Sequence, residues 1–402
     1  MINLLVSPSF TFRDFRFLWL SSAFNSVGFI GEQVIVGWVI LEITDSSFMV
    51  GVSLALRMVP FLFLGIIAGS LADRVNRRNL LMLVSVGMGF LSLSLAFIIY
   101  LGFIEVWIIL LLTFLAGCVR AIGQPARQSF AYDIVGTANL VNAISNLSLG
   151  MRVGGIGGSL LAGLLVGKFG ADAGYLVLSV SYFASVFIIL FIRSPESPDL
   201  SEQESFWQNI AGVGKEIKRN NSLLVILLLS GMVEILGFSH QALLPVISRD
   251  VLGLGAEGLG VMNAMRSAGG ILAVIILSSM GDIKRKGLLY LFVLYAFGVS
   301  LFLLAYAQSF LLAVFAIVVI SGLGAISDIL SQSLIQLVVP NELRGRAMGT
   351  WIFAVGLGPI GHMEIGAVAA LTGVGLALTV HGGLLLFLAA STMIFFPRIR
   401  SL

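Results

Sequence analysis

The sequence predicts an all-α membrane protein whose twelve transmembrane helices form two pseudo-symmetric six-helix halves. Three observations predict it: a composition too apolar for water, twelve apolar runs of spanning length, and an internal repeat. Of 402 residues, 58% are hydrophobic and only 11% are charged, with a mean hydropathy of +1.06. A soluble chain carries roughly a quarter charged residues because its surface must be solvated. The net charge of +3 is too small and too dispersed to point to nucleic acid. The single cysteine, Cys118, excludes an intramolecular disulfide. The start of the chain holds Arg13, Asp14 and Arg16 and does not read as a cleavable signal, so the first apolar run is expected to stay in the protein.

A helix needs about 20 apolar residues to cross the hydrocarbon core. In the first half such runs lie near 17–41, 48–72, 79–101, 107–130, 141–167 and 173–192. In the second they lie near 222–248, 258–281, 287–307, 310–338, 346–371 and 373–396. The runs are continuously apolar and lack the alternation of barrel strands. With the N-terminus in the cytoplasm, 17 of the 23 Lys and Arg fall on the cytoplasmic side and 2 outside, Lys168 and Arg249; the other 4 lie within spans. The positive-inside rule therefore places both termini in the cytoplasm. Residues 193–221 form the linker between the halves 1–192 and 222–402. In it Ser201 and Glu204 read as a capping box, followed by Phe206, Trp207, Ile210, Val213 and Ile217 at helical spacing. An amphipathic helix on the cytoplasmic face is expected there.

The halves repeat. Gly51, Val52, Ala55, Arg57, Asp73 and Leu80 recur as Gly260, Val261, Ala264, Arg266, Asp282 and Leu289, all 209 residues on. Gly28-Phe29 meets Gly237-Phe238 at the same offset. Further along, Gln128-Ser129, Val135 and Ala143 match Gln332-Ser333, Val339 and Ala347 at an offset of 204. Six helices repeated in one orientation is the plan of a secondary transporter with its site between the halves. The stretch Gly69-Ser-Leu71-Ala-Asp73-Arg74-Val-Asn76-Arg77-Arg78 resembles the signature loop between helices 2 and 3 of the major facilitator superfamily, with Asn76 where the family has glycine. Asn also tolerates a left-handed backbone. Two further stretches resemble the branch of enterobactin exporters and macrolide-efflux proteins: Gly123-Gln-Pro125-Ala-Arg-Gln128, and Pro340 to Gly349 followed by Gly358-Pro359-Ile-Gly361.

The resemblance implies a gate latch at Gly69, Asp73, Arg74, Arg77, Arg78 and, in the degenerate second copy, Asp282. Eight ionisable residues fall within spans: Glu32, Arg57, Arg120, Arg152, Glu234, Arg266, Asp328 and Glu364. A charge at the bilayer centre costs about 2.5–3.5 kcal/mol even on lenient scales, so these residues are expected to face a cavity or one another. Arg57, Arg152, Arg266 and Asp328 read as intramembrane charge pairs. Glu32 and Glu234, on the leading helices of the two repeats, read as substrate or proton-coupling residues, because burial makes a carboxylate easier to protonate. Glu364 is the next such candidate. Arg120 with Gln124 resembles the arginine motif of drug–proton antiporters, which implies a coupling role for Arg120. The glycines at 150, 154, 155, 157 and 158 resemble the antiporter motif without its proline, and permit close helix packing. His240 and His362 with Glu364 are weak candidates for a metal site, since no ligand spacing clusters them.

No Gly-Lys-Ser/Thr phosphate loop, voltage-sensor arginine series or catalytic constellation is present in the sequence, and no enzyme activity or cofactor is expected. The expected function is alternating-access transport in a plasma (bacterial inner) membrane, by a monomer exporting a small amphipathic molecule such as a drug or siderophore in exchange for protons. Two alternatives remain, a divalent-metal or small-ion exporter and a non-transporting sensor on the same fold.

Overall fold

The computed structural model of the protein describes residues 7–193, 220–281, 284–340 and 344–402, and gives the backbone only for 65–74 and 344–346. The expected linker helix and Asp282 lie outside the described residues, as do the side chains of Asp73 and Arg74.

The apolar runs are helices, and no strand occurs among the described residues. A 3-10 turn at Pro8–Thr11 leads into α1 (Arg13–Thr44), α2 (Ser47–Arg74) and α3 (Arg77–Tyr100). Next comes a helical stretch of 64 residues, Val106–Phe169. At 1.5 Å per residue it would be about 95 Å long, some three times the hydrocarbon core. It is interrupted at Gly136, whose φ of 70° and ψ of 177° are left-handed and reserved in practice for glycine. The interruption makes two helices, α4 (106–135) and α5 (137–169). Then follow α6 (Ala171–Leu190), α7 (Asn221–Val251), α8 (Ala256–Ser279), α9 (Lys286–Ala305), α10 (Phe310–Val338), α11 (Ala347–Thr372) and α12 (Val374–Phe395). Eleven continuous described segments are long and apolar enough to cross a membrane, and the 64-residue one supplies two crossings, giving the expected twelve.

The chain divides into two compact units. The first comprises Met1–Thr44, Leu56–Ser201 and Leu254–Ala264; the second comprises Asp45–Ala55, Glu202–Gly253 and Met265–Leu402. In the first unit α1 packs on α5 through glycine. A Cβ on Gly154 or Gly158 would collide with the backbone of Ala23 or Val27, so the helices touch main chain to main chain. Phe15, Leu18, Leu81, Ala126, Phe130, Ala131 and Leu147 form a buried cluster beside that seam. The start of α8 belongs to this unit because Gly163 on α5 meets Gly260, with no room for a Cβ on either. The second unit builds the same joint. Gly366 on α11 meets Ser47 and Phe48 at the start of α2, and the Ser47 hydroxyl donates to the Gly366 carbonyl at 3.0 Å. Gly51, the repeat mate of Gly260, lies against the backbone of His362. The joint between α5 and α6 in one unit and between α11 and α12 in the other is again the same: Gly170 (φ 95°) and Gly373 (φ 88°).

Candidate functional site

In the first unit three intramembrane charges, Glu32, Arg57 and Arg120, gather around one aromatic ring. Glu32 lies midway along α1 and is only 4% exposed. Its carboxylate accepts a hydrogen bond from the Tyr182 hydroxyl on α6 at 3.1 Å and lies 3.7 Å from the Arg57 guanidinium on α2. Arg57 also donates to the Phe29 carbonyl, one turn before Glu32, and lies over the Phe29 ring with Cζ 4.0 Å from its centroid. Arg120 on α4 lies over the same ring at 3.1 Å. Two glycines make room. A Cβ on Gly28 would overlap the Tyr182 ring, and one on Gly117 would strike the Arg57 carbonyl. Arg127, further along α4, is also buried, and its charge is felt at Arg120.

The signature loop is anchored within the same unit. Asn76 does not adopt the left-handed backbone of the glycine it replaces; its φ is −59° and its side chain caps α3 by accepting from the Asn79 amide at 3.1 Å. Arg77 forms a largely buried 2.5 Å ion pair with Asp133 at the end of α4. Arg78 donates to the carbonyls of Ile189 and Leu190 at the C-terminus of α6, where a cation is favoured by the helix dipole. Gly69 lies in the last turns of α2. Arg152 on α5 has interactions of its own.

In the second unit α7 is irregular. Residues Val233–Gly237 form a π-turn, Phe238–Leu243 a 3-10 turn, and Ile247–Val251 a second π-turn. Such windings within a helix recur at functional sites. The first π-turn carries Glu234, 7% exposed, where the charge of Asp328 on α10 is felt. Arg266 on α8 is hydrogen-bonded to the Gln241 side chain. His240 and His362, both buried, bond through Nδ1 to the carbonyls of Gly237 and Gly358 within their own helices. Glu364 is not buried: its side chain is 44% exposed, and its carboxylate lies 2.7 Å from Nε2 of the fully buried His381 on α12. Among the described residues no three His, Cys, Asp or Glu side chains are placed to hold a metal ion.

Of the eight intramembrane charges, expected to face a cavity or one another, Glu32 meets Arg57. Glu234 has an acid for its neighbour, Glu364 has a histidine, and Arg120 has a ring. The reason is that amide, phenol and aromatic faces also satisfy a buried charge, so the acid count does not fix the partners. Sequence reasoning missed Tyr182, Asp133 and Gln241. The signal for Gln241 was available, since it stands 209 residues after Glu32, as Arg266 stands 209 after Arg57.

A continuous match runs from residue 7 to residue 401 with the family described as transmembrane secretion effectors. The chain belongs to that family. Curated relatives agree. The staphyloferrin A transporter of Staphylococcus aureus is 23% identical over 361 residues, 89% of each chain. The enterobactin exporter EntS of Escherichia coli is 25% identical over 390 residues, 94% of this chain and 92% of the relative. The fold is that of solved major facilitator transporters. The nucleoside transporter NupG superposes with a TM-score of 0.79 over 96% of this chain and all of that one, at 14% identity. A bacterial homologue of the lysosomal transporter Spinster gives 0.73 over 96% and 98%, at 15% identity. The chain is thus a multi-pass membrane transporter of the major facilitator type and not an enzyme.

Proposed function

We propose that this transporter exports a small amphipathic molecule of the siderophore or drug class by alternating access, as a monomer, in exchange for protons entering the cell. The observation that carries the reading is Glu32, a carboxylate buried midway along the first membrane helix and held by a phenol and a guanidinium. A carboxylate so placed changes its contacts whenever it takes up or releases a proton, and thereby links protonation to the positions of α1, α2 and α6. Glu234 serves the same end in the second unit, on a helix whose π-turn leaves it easy to rewind. Arg120 and Glu364 are the next coupling candidates. The staphyloferrin A transporter and the enterobactin exporter among its relatives favour an exported siderophore-like substrate. In this reading Gly69, Asp73, Arg74, Arg77, Arg78 and Asp282 form the cytoplasmic latch, both termini are cytoplasmic, and the membrane is the plasma membrane.

The test is proton movement in proteoliposomes, read with an internal pH dye while siderophores and antibiotics are added singly. Substrate-dependent proton flux that disappears in Glu32→Gln or Glu234→Gln supports exchange. Transport that continues without proton movement, and without these carboxylates, overturns it.

A further inference from the structure

Resting on that reading, we infer that Arg120, stacked on Phe29, is the docking point for an anionic oxygen group of the substrate, a carboxylate or a catecholate. The two repeats supply the first argument. Phe29 has its mate in Phe238, 209 residues on, and Arg120 has its mate in Gly324 at the offset of 204 that relates α4 to α10. In the second unit Gly324 faces the Phe238 ring so closely that a Cβ would come within 2.8 Å of it. The same ring at the same place therefore packs against a glycine in one repeat and beneath the Arg120 guanidinium in the other. The scaffold does not need the arginine.

The second argument is charge. Arg120 is only part-buried and, among the described residues, donates no hydrogen bond to the protein; its neighbours are the Phe29 ring and, through space, Arg127, Tyr182, Arg57 and Glu32. Arg57 and Arg120 thus share one described carboxylate, which is already engaged by Arg57 and Tyr182, while the charge of Arg127 adds to the surplus at Arg120. A planar fork of N–H donors in a positive surplus fits two anionic oxygens at once, and the ring beneath it extends an apolar platform to the rest of the ligand. Cations are repelled from the same place. Glu32, already held by Arg57 and Tyr182, leaves the Arg120 guanidinium to the ligand.

Binding is measured by titrating the full-length protein in nanodiscs with salicylate, which carries an anionic carboxylate on an aromatic ring, and with tetraphenylphosphonium, an apolar cation. Wild type is expected to bind salicylate and not the cation. Arg120→Gln weakens salicylate binding by about tenfold or more, and Arg120→Lys recovers part of it. Salicylate binding unchanged in Arg120→Gln overturns the inference, and so does a wild type that binds neither probe or only the cation. The two readings fail separately. Arg120-dependent binding with no proton exchange removes the exporter and keeps the site; proton exchange with Arg120-independent binding does the reverse.

Discussion

Glu32 with Arg57 and Gln241 with Arg266 occupy matching places in the two repeats, and each pair is made within its own unit. The first pair is charged and sits on an unbroken 32-residue helix; the second joins a guanidinium to an amide and sits on a helix wound through two π-turns and a 3-10 turn. A shared scaffold has therefore been loaded differently. The arginine is what the two have in common, and the carboxylate is the first repeat's own. The second repeat keeps its carboxylate two turns earlier, at Glu234 beside Asp328. Duplication fixed the positions where helices meet, as the matching glycine joints show, and the chemistry diverged on top of them.

The comparison breaks most visibly if one member of each pair is removed. Glu32→Ala leaves Arg57 buried without its counter-ion and is expected to cost about 3 kcal/mol or more. Gln241→Ala removes a single neutral hydrogen-bond partner and is expected to cost about 1–2 kcal/mol. Unfolding of the purified variants in mixed micelles by a denaturing detergent measures both. Equal losses would mean that Arg57 is held chiefly by the Phe29 carbonyl and ring, and that Glu32 is not its effective counter-ion.

The signature loop offers the next contrast. Arg77 has its mate in Lys286, but Asp133, the partner of Arg77, corresponds to Leu337 at the α4–α10 offset. Arg77→Ala is expected to cost about 2 kcal/mol, discounted from a fully buried pair because the two side chains are 10% and 16% exposed. Lys286→Ala removes no equivalent pair, since position 337 is Leu where 133 is Asp, and is expected to cost less. The same unfolding assay decides it, and a double variant with Asp133→Ala should lose little more than Arg77→Ala alone.

Much of this was legible in the residues. Apolar run lengths gave the spans, and the 209-residue offset gave the repeat, because both depend on spacings that membrane and duplication impose. Gly136 escaped as a joint because the apolar pattern on either side already reads as two spans, and nothing local shows that helix continues up to the break. The charge partners were harder. Glu32 and Arg57 are 25 residues apart and Glu32 and Tyr182 are 150 apart, so only the helix packing brings them together. Glu364 read as a buried charge because its run is apolar, yet it turns to the exposed side of α11 and leans on His381. An apolar window identifies a span without saying which face of it is covered.

The smallest contrast is at the start of α3 and α9. Asn76 caps α3 through its side chain, whereas its mate Arg285 stands at the same point of α9 and gives no side-chain cap. An N-cap side chain satisfies an amide that the helix itself leaves open. Asn76→Ala is therefore expected to cost about 1 kcal/mol, and Arg285→Asn to gain up to about 1 kcal/mol, since Asn is among the best N-cap residues and Arg is not. If the paired variants move stability in opposite directions, the capping difference is a local one between otherwise equivalent helix starts. If Arg285→Asn instead loses stability, the arginine contributes something at its own position that capping does not replace, and the two loops have diverged in role as well as in sequence.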